Sequence, residues 1–459
     1  MRSLVLLLAA TIAFSASGQD QAAVIAATPL KAGAAKRSIV PPFPTTMAGF
    51  FDRTANFEGV KTPIYARALV CANGDASLAI LATDLLWMPR ELADAVRADV
   101  SAATGIPAAN ILLCAAHNHS SLAGFSKGSM FGGPFNQALF DFLRAEMGQA
   151  LIEAHATLRP AALGFGQGRL DGFARNRQQG NEDVIDPMVG VLRVTEADSR
   201  TVIATLFNFT GHPVILGSDN LLLCGEYPGA AEQMVEDVLG GVALFTQGAC
   251  GDVTVKRSGP PFLEVERLGR ILGAEVIKTS EMTPPGTETF LFSRMEDVPV
   301  EPRVLPELPV AKEHLAAAQT SLTNAKASGA VESEIQRLER AADSAEWAVR
   351  LSGFKAEHPD AFPEVRQAPV QVMQIGPLVV VGIPGELFVE YGLEMKQRVM
   401  QGKKRPMILA GYANDYLGYL VTPRAVYTGG YEQATARLEA SAPRAMTEAA
   451  MAWVDAGVR

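Results

Sequence analysis

The 459 residues include only six histidines, His117, His119, His155, His212, His314 and His358. Three of them follow apolar runs. The run Ile111-Leu112-Leu113-Cys114-Ala115-Ala116 leads directly into His117-Asn118-His119, and an extended backbone sends the side chains at i and i+2 to the same side. Both imidazoles can therefore face one cleft. A second run, 202–209, leads to Gly211-His212-Pro213. Imidazole is both a metal ligand and a proton carrier near neutral pH, although a lone His-x-His also serves simply as two polar residues opening a loop. A hydrolytic zinc site takes three or four N or O ligands and keeps a position for water. His117, His212 and one carboxylate would form such a minimum, and Glu386, placed after Pro384-Gly385 at a strand-to-helix turn, is the best-placed carboxylate.

The elements that must position these groups follow from periodicity. Two further apolar runs end in polar residues. One is 242–247, opening into Gly248-Ala249-Cys250-Gly251-Asp252-Val253-Thr254, and the other is 378–383, ending at Pro384-Gly385-Glu386. Ligands of open α/β sheets bind outside the carboxyl ends of strands, so these four ends are expected to converge. Residues 63–71 and 78–84 read as a hairpin joined by Asn73-Gly74-Asp75. A helix is expected over 89–104, with Pro89 opening it and Gly105 stopping it, and another over 136–157. The fold class that results is α/β (mixed α+β), with one large domain over 46–459 whose sheets are flanked by helices. Residues 309–352 interrupt the rhythm. Leu315, Ala318, Leu322 and Ala325 form one stripe, Ile335, Leu338, Ala342, Ala345 and Val349 another, and Gly329 separates them. This is a helical-hairpin insertion, read as a solvated surface feature with a partner-binding or lid role left open. One last helix is expected over 432–455.

Composition sets the compartment and excludes some functions. Hydrophobic content of 48% permits a substantial core, and a formal net charge of −9 argues against a nucleic-acid binder. Residues 1–18 carry Arg2, a short apolar stretch and small residues, the pattern of a secretory signal peptide. A secreted or periplasmic protein is expected, with 19–45 as a mobile leader. The four cysteines, Cys71, Cys114, Cys224 and Cys250, form no CxxC pair and read as buried thiols, with one or two disulfides left open.

Six motifs in order decide between the bland and the chemical readings. Ala116-His117-Asn118-His119-Ser120-Ser121, Asn176-Arg177, Gly211-His212-Pro213, Gly248 to Thr254, Pro384-Gly385-Glu386, and Asn414 to Pro423 with Tyr431-Glu432 resemble those of the neutral/alkaline non-lysosomal ceramidases. The resemblance runs from about Gly49 onward. It implies a Zn2+ amidohydrolase with His117, His212, Glu386 and Tyr419 as ligands. It further implies His119 as the proton carrier, Tyr431 as a donor to the oxyanion, Arg177 as a group orienting substrate, and Asp252 and Thr254 as site residues. The implied substrate is ceramide or another N-acyl lipid, with peripheral contact to membranes or lipid aggregates. Three departures stand out. Thr254 replaces the serine of the family's Gly-Asp-x-Ser, the loop after His119 is altered, and the family's C-terminal β-sandwich has no counterpart after the expected last helix. Two other readings stay open: a zinc hydrolase of the same chemistry on a different amide or ester, and a non-catalytic envelope protein binding a lipid or glycan.

Overall fold

The computed structural model describes residues 29–459 apart from 75, 128, 129, 131 and 360–364. The signal-like segment 1–18 lies outside the described residues. Runs that are apolar at nearly every position need cover on both faces, and the chain provides it with two sheets packed between helices. One sheet has eight strands in the order Val242–Gln247, Val202–Phe209, Met188–Glu196, Arg159–Arg169, Lys31–Ser38, Tyr65–Ala72, Ser77–Thr83 and Ile111–Ala115. Its two outermost pairs are parallel and the others antiparallel. The second sheet runs Leu291–Val300, Arg366–Ile375, Leu378–Gly382, Met407–Ala410.

Strand alternation sorts the side chains between layers. Ala66, Ala68 and Val70 pack with Leu92, Leu143, Val235 and Leu268 of four helices, whereas Leu69 and Cys71 face Leu112, Met373, Val380 and Ile408 between the sheets. The outer face of the smaller sheet, with Val370 and Val381, is covered by Val389–Lys403 and Ala442–Gly457. The edges of the large sheet meet. Gln247 Nε2, at the end of one edge strand, donates to the Ala116 carbonyl beyond the other at 3.2 Å. The chain leaving Met407–Ala410 is clamped into the same seam: Gly411 N donates to Gln247 O at 2.9 Å and Asn414 N to Leu113 O at 2.8 Å. Both sheets therefore deliver their strand ends to one place.

Two expectations are corrected. Lys31–Ser38, within the stretch read as a mobile leader, is instead an interior strand paired along its whole length with Tyr65–Ala72. The helix expected over 432–455 is two helices, Tyr431–Thr435 and Ala442–Gly457. Pro443 fits only the first turn of a helix, and Leu438 in the break bridges Pro302. Residues 309–352 form two paired helices, Leu308–Ala327 and Glu332–Glu357 with 328–331 joining them, and the second packs against Tyr431–Thr435. All four cysteines are buried free thiols.

One buried ion cluster ties the large sheet to a helix. Arg67 Nη1 lies 2.9 Å from Asp84 Oδ2 and 2.9 Å from Glu232 Oε2. Burial penalises its charge, but the facing carboxylates outweigh that and hold the guanidinium protonated. Arg67→Met leaves two carboxylates buried without their cation, and a loss of about 3–5 kcal/mol is expected. Urea melts should show a lower midpoint at unchanged slope, and an unchanged midpoint would contradict this account of the cluster.

Candidate metal centre

Each imidazole is anchored to a backbone carbonyl through its Nδ1. The backbone turns sharply after Ile111–Ala115, with His117 at φ 63°, and its Nδ1 lies 2.9 Å from the Leu86 carbonyl. His212, following Val202–Phe209, sets Nδ1 3.1 Å from Val253 O. His119 sets Nδ1 3.1 Å from Gly49 O. Gly49 has φ +107°, and a Cβ there would stand 2.7 Å from His119 Nδ1, so only glycine permits this approach. A carbonyl can only accept, so every Nδ1 carries the proton and every neutral ring presents a bare Nε2 lone pair.

Those lone pairs converge. His119 Nε2 lies 3.2 Å from His117 Nε2, and the ligand-capable atoms of His117, His119 and His212 all lie within 4.8 Å of one another. Glu386 Oε2 stands 3.2 Å from His212 Nε2 and 3.3 Å from His117 Nε2. Burial first, then the neighbouring Arg177, lowers His212 to about 4, and burial with the flanking imidazoles keeps His119 well below the usual histidine range. Burial opposes ionisation of Glu386, but the two imidazoles outweigh it and hold the carboxyl well below its usual value. Ring nitrogens and a carboxylate oxygen thus face one another at distances that call for a shared proton or a bound cation among them. A cation is what such a donor set accommodates, and nitrogen with carboxylate oxygen suits a borderline divalent metal.

Glu386 is itself oriented. It pairs in register with Tyr419 in the short parallel ladder Glu386–Leu387 with Tyr419–Leu420, so both side chains share a face. Tyr416 Oη donates to Glu386 Oε1 at 2.6 Å, and burial with this carboxylate keeps the phenol well above its usual range, hence a donor. Tyr412 Oη lies 3.3 Å from Glu386 Oε2, and its ring stacks on His117 at 4.1 Å. Sequence reasoning did not single out Tyr412 or Tyr416. The signal was a local one: three of the chain's eight tyrosines fall within 412–419.

The other expected site residues form a layer beside the donors. Arg177 Nε pairs with Glu432 Oε1 at 2.9 Å, while its Nη2 reaches Gly251 O at 2.6 Å and the Tyr419 hydroxyl at 3.5 Å. Burial disfavours the guanidinium charge, yet Tyr419 and Glu432 hold it protonated. Asp252 accepts from Asn176 Nδ2 at 2.7 Å and from the Val389 amide at 2.8 Å, and burial pushes it up to about 7. Thr254 sits in Val253–Val255, opposite Arg175, and bridges His212. Tyr431 packs its ring edge-on against Tyr419 at 5.9 Å.

Comparison with known proteins decides the family. The sequence model described as "Neutral/alkaline non-lysosomal ceramidase, N-terminal" matches residues 32–264, about half of the chain. The chain belongs to the neutral/alkaline non-lysosomal ceramidase family. Among ceramidases of this kind, the neutral ceramidase of Pseudomonas aeruginosa is 26% identical over 377 residues, covering 70% of this chain and 56% of that protein. The chain thus spans little more than half the length of that relative. The neutral ceramidase of Mycobacterium tuberculosis is 23% identical over 451 residues, covering 84% of this chain and 70% of its own length. A crystal structure of the Pseudomonas aeruginosa neutral ceramidase superposes with a TM-score of 0.72 at 22% identity, over 94% of this chain and 74% of that one. The mixed α/β architecture expected from the sequence is the family's.

The hydroxyl of Tyr416 is expected to matter to the metal without touching it, because outer partners that orient ligands typically contribute about 10–100-fold in affinity. Tyr416→Phe should weaken metal binding by that range in chelator competition. Wild-type affinity in the variant would refute the orienting role.

Proposed function

We propose that this member of the family is a zinc-dependent amidohydrolase that cleaves the N-acyl amide of ceramide or a related N-acyl lipid. The observation that carries the reading is that the carbonyl-anchored His117 and His212 bring Nε2 within 3.3 Å of Glu386 Oε2, with His119 Nε2 3.2 Å from His117 Nε2. His117, His212, Glu386 and Tyr419 are the proposed ligands, the last in register beside Glu386. When bound, zinc supplies a water with a pKa near ~7 and polarises the amide carbonyl.

The chain's own groups do the rest. His119 offers a free Nε2 next to His117, held in one tautomer by Gly49, and is the proposed carrier of the proton from attacking water to the leaving amine. The guanidinium of Arg177 beside the Tyr419 hydroxyl favours the phenolate that a cation would bind. Tyr431 is the proposed donor to the developing oxyanion. Asp252 acts by position: it ties the amide of Val389, just past Glu386–Leu387, to Asn176, just before Arg177. Thr254, in the place of the family's serine, borders His212. The signal pattern over 1–18 supports export, so the substrate is proposed to be met outside the cytoplasm, in membranes or lipid aggregates.

The test uses the purified full chain with ceramide and related N-acyl amides. Chelation should abolish hydrolysis and added zinc restore it. His119→Ala should retain metal but lose about 10²–10⁴-fold in kcat. Turnover that survives chelation, or His119→Ala at the wild-type rate, would sink the mechanism.

A further inference from the structure

Guanidinium groups set into this protein are answered by carboxylates or by several carbonyls. Arg67 faces Asp84 and Glu232, Arg177 faces Glu432, Arg53 donates to the carbonyls of Ala48, His119 and Asn220, and Arg303 to those of Gln433, Ala434 and Ala436. Arg437 is the exception. A guanidinium carries five N–H donors, and among the described residues that of Arg437 makes one hydrogen bond, from Nη2 to the Tyr416 carbonyl at 3.0 Å, with no carboxylate paired to it. It also lies 5.4 Å over the Tyr416 ring. Burial lowers its pKa from the ordinary guanidinium value, and Tyr416, Asp415 and Glu386 offset that only in part.

This cation opens onto a slot beside the candidate centre. Arg437 and Thr435 line the slot together with Tyr416, Gly418 and Tyr419, and Trp347 of the inserted hairpin stands in its wall. Tyr416 donates to Glu386 and Tyr419 is in register with it, so the slot borders the place where the amide is proposed to be cleaved. Gly418 has φ +80°, and a Cβ there would stand 3.1 Å from Arg437 Nε, so a side chain at 418 would crowd the guanidinium. Thr435 spends its hydroxyl proton on the Tyr431 carbonyl at 2.9 Å, and Tyr416 spends its own on Glu386. The unspent donors of the slot belong to Arg437.

A charge withdrawn from water without a counter-charge is costly, and the planar fork of a guanidinium matches a carboxylate through two parallel N–H bonds. The acyl part of an N-acyl lipid is hydrocarbon. A negative charge within reach of the scissile amide is therefore carried by the amine part. Resting on the amidohydrolase reading, we propose that Arg437 binds the carboxylate of an N-acyl amino acid and that this class of N-acyl lipid is the preferred substrate. That carboxylate sits on the carbon bonded to the amide nitrogen, which brings it to the slot when the amide is at the centre. Water adds to the amide carbon, the C–N bond breaks and the nitrogen takes a proton, which gives a fatty acid and a free amino acid.

The experiment compares the zinc-loaded full chain on N-octanoylglycine and on its neutral counterpart N-octanoylethanolamine, for wild type, Arg437→Gln and Arg437→Lys. Arg437→Gln keeps an N–H for the Tyr416 carbonyl and removes the charge, whereas Arg437→Lys keeps a charge without the fork and serves if the first variant does not fold. The wild type should favour the glycine amide by about tenfold or more in kcat/KM, the scale of a hydrogen-bonded charge pair. Arg437→Gln should bring that ratio close to one through a raised KM for the glycine amide, and Arg437→Lys should lower it less. A wild type that cleaves the ethanolamine amide at least as well overturns the inference, as does an unchanged ratio in either folded, metal-loaded variant. Metal-loaded wild type that cleaves neither amide overturns instead the amidohydrolase reading, and calorimetry of the two compounds on that inactive protein then judges Arg437. Tighter binding of octanoylglycine that is lost in Arg437→Gln upholds its role, and equal binding of the two overturns it.

Discussion

The structure turns on a convergence of anchored donors. Three imidazoles are each fixed by an Nδ1–H donated to a backbone carbonyl, at Leu86, Gly49 and Val253, so their lone pairs are delivered to one another and to a buried carboxylate. Nothing in the packing of a core calls for this. Buried polar groups are costly unless satisfied, and here satisfaction of one ring nitrogen is what leaves the other exposed to its neighbours. The backbone supplies the anchoring, which is why the arrangement depends on how the strand ends are brought together.

That convergence is built by the seam where the large sheet's edges meet. Gln247 reaches across to Ala116 and also accepts from Gly411, so three strand ends of the two sheets are locked by one side chain and its backbone. Tyr412 and Asn414 follow in left-handed conformations, at φ 53° and 69°, which re-aim the chain so that Tyr416 and then Tyr419 arrive at Glu386. Asp252 fastens the turn on the opposite side. A donor cluster assembled from four separate segments, at 117–119, 212, 386 and 419, is thus held by hydrogen bonds to the main chain, and the surrounding tyrosines adjust one carboxylate.

Much of this was legible before any coordinates. Strands such as Ile111–Ala115 and Leu378–Gly382 are apolar throughout because both their faces are buried, and Arg90–Thr104 is bracketed by Pro89 and a left-handed Gly105. The donors His117, His212 and Glu386 were readable because each follows such a run. Lys31–Ser38 was not readable, and the reason is physical. Its eight residues are two lysines, three alanines, a glycine, an arginine and a serine, and it packs by close approach: a Cβ on Gly33 would stand 2.1 Å from the Ala154 carbonyl. Small residues chosen for proximity carry no hydrophobic period. The orienting roles of Tyr412 and Tyr416 were equally hidden, since they follow from positive-φ geometry and from a stack on His117, which spacing along a chain does not encode. The hairpin read as a solvated projection proves half right: its helices expose much of their surface, while Trp347 is turned toward Tyr431.

The central claim is that the converging donors hold a metal ion. Crystals of the full chain grown with zinc and measured at the zinc absorption edge would test it most directly. The account predicts one anomalous peak about 2 Å from His117 Nε2, His212 Nε2 and a Glu386 oxygen, the ordinary zinc–ligand distance. Well-ordered imidazoles and carboxylate with no peak among them, or a peak bound elsewhere while this cluster keeps its geometry, would contradict it.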